Sequence, residues 1–399
     1  VYKRQIWNSA VYSQQIYQET KTSMTLAIKS VQTAKEQRTF LTFPWRIYRD
    51  DPLWVPPLLP ERTRAVVRRR GPFFERGAVE FFIAWRDGQS VGTICAAEDP
   101  PTNAARGTQE CVFGFFECVE DYAIAEAMFD HVGAWARQRG LNALYGPFNL
   151  DYEDGYGILI EGRERPPVLL CGHTPPYYRD FVERYGFEPA RAANLAYAFD
   201  LTADDTPELR RLARLADKVR QRGEITVRGA DMAQWEAEVN RVHELLTVAL
   251  GHLGDYIPWR RESVVALVEP FRKIADPELV LFAEVNGDNA GWFPGVPNLN
   301  EALIHANGLR YPWNYAQLWL ALRRRPRCLT VKSLLVKPQY WKTGVAVLLF
   351  DEMVKRARAR GYTWIDLSLT SADNPDTPVL AERMGATLYK QYQIYRANL

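Results

Sequence analysis

Two stretches of this chain carry the same punctuated pattern, and that repetition constrains the fold more than any single motif. Phe129-Asp130 leads to Ala136-Arg137-Gln138-Arg139-Gly140, and Phe350-Asp351 leads at the same spacing to Ala357-Arg358-Ala359-Arg360-Gly361. A strand-like run follows each glycine, over 141–149 and 362–370. Glu183-Arg184-Tyr185-Gly186-Phe187 and Glu382-Arg383-Met384-Gly385-Ala386 make a second pair, and Val91-Gly92 and Ala290-Gly291 a third, in the same order along the chain. Self-similarity of this kind marks a duplicated structural unit. With 399 residues there is room for two domains. We therefore expect two copies, 24–200 and 201–399, behind a segment 1–23 that is polar and rich in Gln and Tyr. That segment lacks a signal-peptide layout. It is read as an ill-ordered tail or as sequence from outside the true frame, with Met24 as a start.

In the second copy, Trp235, Val239, Val242, Leu245, Leu246 and Ala249 recur at helical spacing, which predicts a helix over 232–250. A second helix is expected over 262–274. Apolar runs at 279–285 and 290–293 flank Asn286-Gly287, a hairpin signal. A buried strand over 329–336, a helix over 345–360 stopped by Gly361, a strand over 364–369, a short helix over 378–384 and a last strand over 388–395 complete the copy. The first copy reads alike, with strands over 81–85, 91–96, 111–119, 141–148 and 195–199 and helices over 122–139 and 177–185. A strand meander followed by alternating helices and strands gives an α/β fold, a mixed sheet covered by helices.

Composition removes several function classes. The chain is 47% hydrophobic and 25% charged with a net charge of +2, which is globular and carries no electrostatic footprint for nucleic acid. The basic runs Arg68-Arg69-Arg70 and Arg323-Arg324-Arg325 with Arg327 fall where helices end. Cations are favoured there, so they read as solvated helix ends, with a clamp for a phosphate-bearing ligand as the alternative. Five cysteines without C-x-x-C spacing argue against disulfides and zinc and fit a reducing, cytoplasmic compartment. No run approaches the ~18 apolar residues of a membrane span. The motifs of metalloproteases, serine hydrolases and P-loop enzymes are missing.

Chemistry is expected where the strand over 329–336 meets the helix over 345–360. The linking Lys337-Pro338-Gln339-Tyr340-Trp341-Lys342-Thr343-Gly344 ends at a helix N-terminus, whose free N–H groups and positive dipole end suit phosphate. Gly344 lets a ligand approach the backbone and Lys342 adds charge. The order of elements and the stretch Trp341-Lys342-Thr343-Gly344-Val345-Ala346 resemble the GCN5-related N-acetyltransferase superfamily. That family's loop reads Arg/Gln-x-x-Gly-x-Gly/Ala; Trp341 departs from it, while Gly344 and Ala346 fit. Asn374 before the turn at Gly385 also resembles the family. The resemblance implies two tandem GNAT-like domains and transfer of an acetyl or other acyl group from acetyl-CoA or another acyl-CoA to a small-molecule or peptide amine. It further implies that Lys342, Thr343, Gly344, Val345 and Ala346 hold the pyrophosphate, that Leu334, Leu335 and Val336 pair with the pantetheine arm, and that Asn374 touches it.

The same resemblance calls for a base and an acid. Asp366, on the strand beside the presumed cleft, is the base candidate, against a solvent-facing strand residue. The family's tyrosine acid is replaced by Ala381, leaving Tyr392 or Tyr395. Glu301 and His305 are candidates for the acceptor side, against plain polar surface. The first copy enters its helix through Glu117-Cys118-Val119-Glu120-Asp121 without glycine, and its acids would repel a diphosphate. Its acidic 151–157 segment could instead receive a cationic amine. Two alternatives stand beside the enzyme: a non-catalytic binder of acyl-CoA or of a partner on the same fold, and transfer from aminoacyl-tRNA, which the lack of a basic face disfavours.

Overall fold

The structure is a computed structural model that describes residues 26–150, 156–203, 205–251 and 259–399. The 1–23 segment and most of 151–157 lie outside those residues. Two sheets form, and each owns a hydrophobic core. The first holds β1 (Leu26–Ser30), β2 (Ala78–Arg86), β3 (Gln89–Glu98), β4 (Glu110–Cys118) and β5 (Ala143–Gly146), then β16 (Tyr395–Asn398) and β7 (Glu188–Pro189), in that spatial order. The second runs β6 (Ile158–Glu161), β15 (Thr387–Gln393), β8 (Asn194–Asp200), β14 (Trp364–Ser371), β12 (Cys328–Val331), β11 (Asp288–Pro297), β10 (Val280–Val285) and β9 (Ile225–Gly229). β13 (Leu335–Val336) pairs with β11 alone.

The two sheets repeat one plan. In each, an antiparallel meander ends in one parallel pair, β4 with β5 and β12 with β14. The copies then exchange their final strands. β8 closes the first repeat in sequence but lies between β14 and β15 of the second sheet, while the C-terminal β16 lies between β5 and β7 of the first. The last strand expected over 388–395 is therefore two strands parted by Ile394, one for each sheet. A cut at 200/201 leaves each copy with a hole in the middle of its sheet, so the repeats are separable in sequence but not as sheets.

Local sequence explains most elements. The β2–β3 and β10–β11 hairpins turn on Asp87-Gly88 and Asn286-Gly287, with positive φ at all four residues (50°, 76°, 51° and 85°), the handedness that matches strand twist. Ile124, Ala125, Met128, Phe129, Val132 and Ala136 of the helix Tyr122–Arg137 cover the first sheet. Val345, Leu349, Phe350, Met353, Val354 and Ala357 of the helix Val345–Ala359 cover the second. Its opposite face is covered by Val239, Val242, Leu245 and Leu246 of the helix Trp235–Leu250. The helix expected over 262–274 stops at Val268, because Pro270 offers no N–H to continue it and a single tight turn follows. The basic runs do follow helix ends, at Val66 and Leu322. All five cysteines are free thiols.

Candidate active site

The strand expected over 329–336 breaks in two, and the break opens the candidate site. β12 pairs with β14 from Cys328 to Val331, opposite Trp364 to Leu367. Beyond Val331 the chain leaves β14 and keeps only β11, with Gly291 opposite Val336 and Trp292 opposite Leu335. A wedge opens between β13 and the far end of β14, and the inner edge of 332–336 forms no ladder with β14. At the mouth of the wedge the loop reaches Gly344, which caps the helix Val345–Ala359. The first backbone bond into that helix runs from Leu348 N–H to the Gly344 carbonyl, so the N–H groups of Val345, Ala346 and Val347 have no backbone acceptor, as at any helix N-terminus. Gly344 has φ of 105° and a helix packed against it: an added Cβ would sit 2.5 Å from Val219 of the helix Pro207–Arg220.

At the apex of the wedge five side chains meet. Lys332 Nζ donates to Ser368 Oγ at 2.8 Å and lies 3.5 Å from both Asp366 Oδ2 and Cys171 Sγ. Ser368 Oγ donates to Asp366 Oδ2 at 2.6 Å, and the Tyr389 hydroxyl donates to Asp366 Oδ1 at 2.7 Å. Asp366 is 0% exposed and both its oxygens are engaged. It therefore does not face solvent, and it presents no free oxygen to an acceptor. Burial, with Asp366 next, pushes the Tyr389 phenol well above its usual range, so it stays a donor. Burial likewise raises the Cys171 thiol, outweighing Lys332, and keeps it protonated. Lys332, Ser368, Cys171 and Tyr389 escaped sequence reasoning, because only the wedge makes them neighbours.

Cys171 belongs to the first repeat and brings its own neighbours. The Tyr392 hydroxyl donates to the Gly172 carbonyl at 3.1 Å, deep in the protein. His173 Nε2 lies 2.7 Å from Asp51 Oδ2, while its Nδ1 is buried without a partner. Burial, the largest effect, holds this imidazole below its usual 6.5 although Asp51 pulls it up, so it is neutral at pH 7. Asn298 and Asn300 pin the segment, accepting from Leu169 N–H at 3.0 Å and donating to the Pro167 carbonyl at 2.9 Å.

Other candidates have structural work. Asn374 Oδ1 accepts from the N–H groups of Asp376 and Thr377 and so opens the helix Thr377–Arg383. Glu301 accepts from the N–H groups of Arg327 and Cys328. His305 is exposed. Tyr395 sits in the first sheet with its hydroxyl on Glu183, away from the wedge.

The first sheet has the same divergence but fills it from within. β4 pairs with β5 only from Glu110 to Val112, and beyond that the Phe115 N–H donates to Asn149 Oδ1 at 2.8 Å and the Cys118 N–H to the Tyr178 hydroxyl at 2.8 Å. Asp121 caps the following helix with its own carboxylate and ion-pairs with Arg86 at 2.7 Å. Groups that could receive a cofactor are thus taken by side chains. Glu117, densely enclosed, accepts from Tyr178 at 2.8 Å, and burial pushes its carboxyl up to about 7 from 4.5. The folded state then holds more protons than the unfolded between those values, and stability falls as pH rises through them. Glu117→Gln should therefore melt higher than wild type at pH 8, by about 1–3 kcal/mol, and lose that advantage near pH 4.5.

The acetyltransferase (GNAT) family model matches residues 240–386, the stretch that contains the wedge and the glycine-capped helix. A bacterial ceramide synthase of Caulobacter vibrioides is 30% identical over 384 residues, 95% of this chain and 99% of that protein. The chain belongs to the GNAT family. Protein YghO of Escherichia coli is 25% identical over 377 residues, 93% of this chain and 95% of that one. The fold of a tandem GNAT protein from the clavulanic acid biosynthesis pathway superposes over 94% of this chain and 98% of that one, with a TM-score of 0.56 at 12% identity. As a GNAT enzyme the chain is an acyl-CoA-dependent N-acyltransferase. The wedge fits that cosubstrate: a strand edge unpaired inside it, and helix N–H groups without a backbone acceptor at its mouth.

Proposed function

We propose that this protein transfers a fatty acyl group from acyl-CoA to the primary amine of a long-chain amino alcohol, in the wedge of the second repeat. The observation that carries the proposal is the Lys332–Ser368–Asp366 cluster at the apex of that wedge. The lipid-like acceptor rests on the likeness to a ceramide synthase, since a ceramide is the amide of a fatty acid with such an amine. The cosubstrate supplies the thioester. Leu334, Leu335 and Val336 pair with its pantetheine arm, while the backbone from Lys342 to Ala346 receives its pyrophosphate and Lys342, exposed there, adds charge. The second repeat, 201–399, is the working copy; the first, 24–200, contributes the segment that carries Cys171 and His173.

The acceptor nitrogen attacks the thioester carbonyl, the C–N bond forms, the C–S bond breaks, and one proton moves from nitrogen to sulfur. Neutral His173, oriented by Asp51, takes that proton through Nδ1. The Lys332 ammonium, held by Ser368 and Asp366, stabilises the carbonyl oxygen and then the departing thiolate. Asp366 thus acts as a positioning residue, and buried Tyr392 holds the Gly172 turn. The protonated Cys171 is a poor nucleophile, which favours direct attack over an acyl-cysteine.

The test is to incubate the protein with palmitoyl-CoA and sphinganine and to follow free thiol together with the N-acyl product by mass spectrometry. Product formation is expected, and its rate should fall as pH drops beneath the usual imidazole range, where the depressed His173 gains a proton. His173→Gln should slow turnover by about 10²-fold and flatten that acid limb. A His173→Gln enzyme with the wild-type rate and pH profile would remove His173 from the mechanism, and no amide from any amine and acyl-CoA would remove the proposal.

A further inference from the structure

Helix Pro312–Leu322 is built the wrong way round for a helix covering a core. At 3.6 residues per turn, Trp313, Ala316, Leu320, Trp319, Tyr315 and Leu322 sweep one half of its surface. That half faces outward, with Trp313 60%, Trp319 56% and Leu320 55% exposed. The side turned to the protein carries Asn314, the one buried residue of the helix, whose side chain accepts from Tyr311 N–H and donates to Gln317. Single exposed apolar residues are ordinary, but a contiguous aromatic and aliphatic face marks an interaction surface.

Charge indicates what it meets. Between Glu301 and Asp351 the chain has eight Lys and Arg and no Asp or Glu. Arg323, Arg324, Arg325 and Arg327 follow the helix directly, all are exposed, and none forms a salt bridge among the described residues. The Arg323 guanidinium lies over the Trp319 ring at 3.6 Å and the Arg310 guanidinium near the Tyr311 ring at 5.5 Å, so cations rim the apolar face. Tryptophan and leucine on one face with arginine at its edge is the chemistry of a helix lying in the interface of an anionic bilayer. No helix among the described residues is long and apolar enough to cross a membrane, so the contact would be to one leaflet.

We propose that Pro312–Leu322 docks this protein on an anionic lipid surface, with its aromatic face among the acyl chains and Arg323–Arg325 on the phosphates. The segment that leads into the helix is tied to the body at Asn307, which accepts from the Trp45 indole at 2.6 Å, and at Asn298 and Asn300, which hold the Cys171 segment. The inference rests on this helix and the arginines that follow it, and holds even if the protein acylates no lipid.

The test is co-sedimentation of the full chain with vesicles of phosphatidylcholine alone and of equimolar phosphatidylcholine and phosphatidylglycerol, with circular dichroism as the folding control. Wild type should partition to the mixed vesicles. Trp313→Ser with Trp319→Ser and Leu320→Ser should lose at least roughly tenfold, and Arg323→Glu with Arg324→Glu a similar factor on the mixed vesicles only. Lipid brominated on its acyl chains should quench the wild-type tryptophans, and Trp313→Phe with Trp319→Phe should keep the partition and lose the quenching. Wild type that ignores both vesicles would overturn the proposal. So would a dimer in light scattering that the serine variant turns into a monomer, which would assign the face to a second copy.

Discussion

Asp366→Ala should lower the stability of the protein by about 3–5 kcal/mol and abolish measurable acyl transfer. The carboxylate is wholly buried and is the acceptor for three donors: Ser368 Oγ, Tyr389 Oη and the Lys332 ammonium. Removing it leaves an ammonium and two hydroxyls facing a small void, and each unmatched buried group adds its own desolvation cost. For a chain of this size a melting temperature roughly 4–6 °C lower is the expected reading. Asp366→Asn separates the two roles. The amide keeps the shape and part of the hydrogen bonding, so the fold should hold, while Lys332 loses the charge that fixes it. The turnover number should then drop about 10²-fold with the affinity for acyl-CoA unchanged. An asparagine variant with full turnover would mean that Lys332 does not need its partner.

Gly344→Ala should remove acyl-CoA binding and destabilise the second repeat by about 2–4 kcal/mol. Two independent causes act at this residue. Its φ of 105° is a conformation that side-chain-bearing residues rarely adopt, and an added Cβ would meet Val219 at 2.5 Å. Val219→Ala in the same chain separates them. The smaller side chain opens space, so the double variant should recover about 1 kcal/mol in a denaturant titration, whereas the backbone strain and the binding defect should persist. If the double variant recovers both, the glycine serves helix packing only, and the loop's resemblance to a cofactor loop would be incidental.

The fold was legible because its signals are local. Apolar spacing located the two helices that cover the sheets, and Asn286-Gly287 and Asp87-Gly88 gave the hairpins. The repeat gave the two sheets with one plan. Strand partners are not local. Nothing around Asn194–Asp200 or Tyr395–Asn398 says that each completes the other repeat's sheet, since a buried strand of alternating apolar residues suits either. The wedge was hidden for a related reason: the run 329–336 reads as one strand, and only the change of partner after Val331 shows that it is two. The site was therefore half visible. Of the candidate site, Gly344, Ala346 and Asp366 are nameable from the loop and the strand order. Lys332, Ser368 and Cys171 lie on three segments from both repeats, and only tertiary structure joins them. The outward face of Pro312–Leu322 was present in the sequence, but without burial an apolar helix reads as core.

The claim that the second repeat's wedge and helix N-terminus receive acyl-CoA is tested most directly by calorimetric titration of wild type and Ala346→Glu with palmitoyl-CoA. Ala346 is the second residue of the helix, half-buried, where a carboxylate complements the helix dipole and should leave the melting temperature equal or slightly higher. The same carboxylate would face the diphosphate. The account predicts saturable binding to wild type and at least about 10²-fold weaker binding to an intact Ala346→Glu protein. Equal binding by the two proteins, or none by wild type, would contradict it.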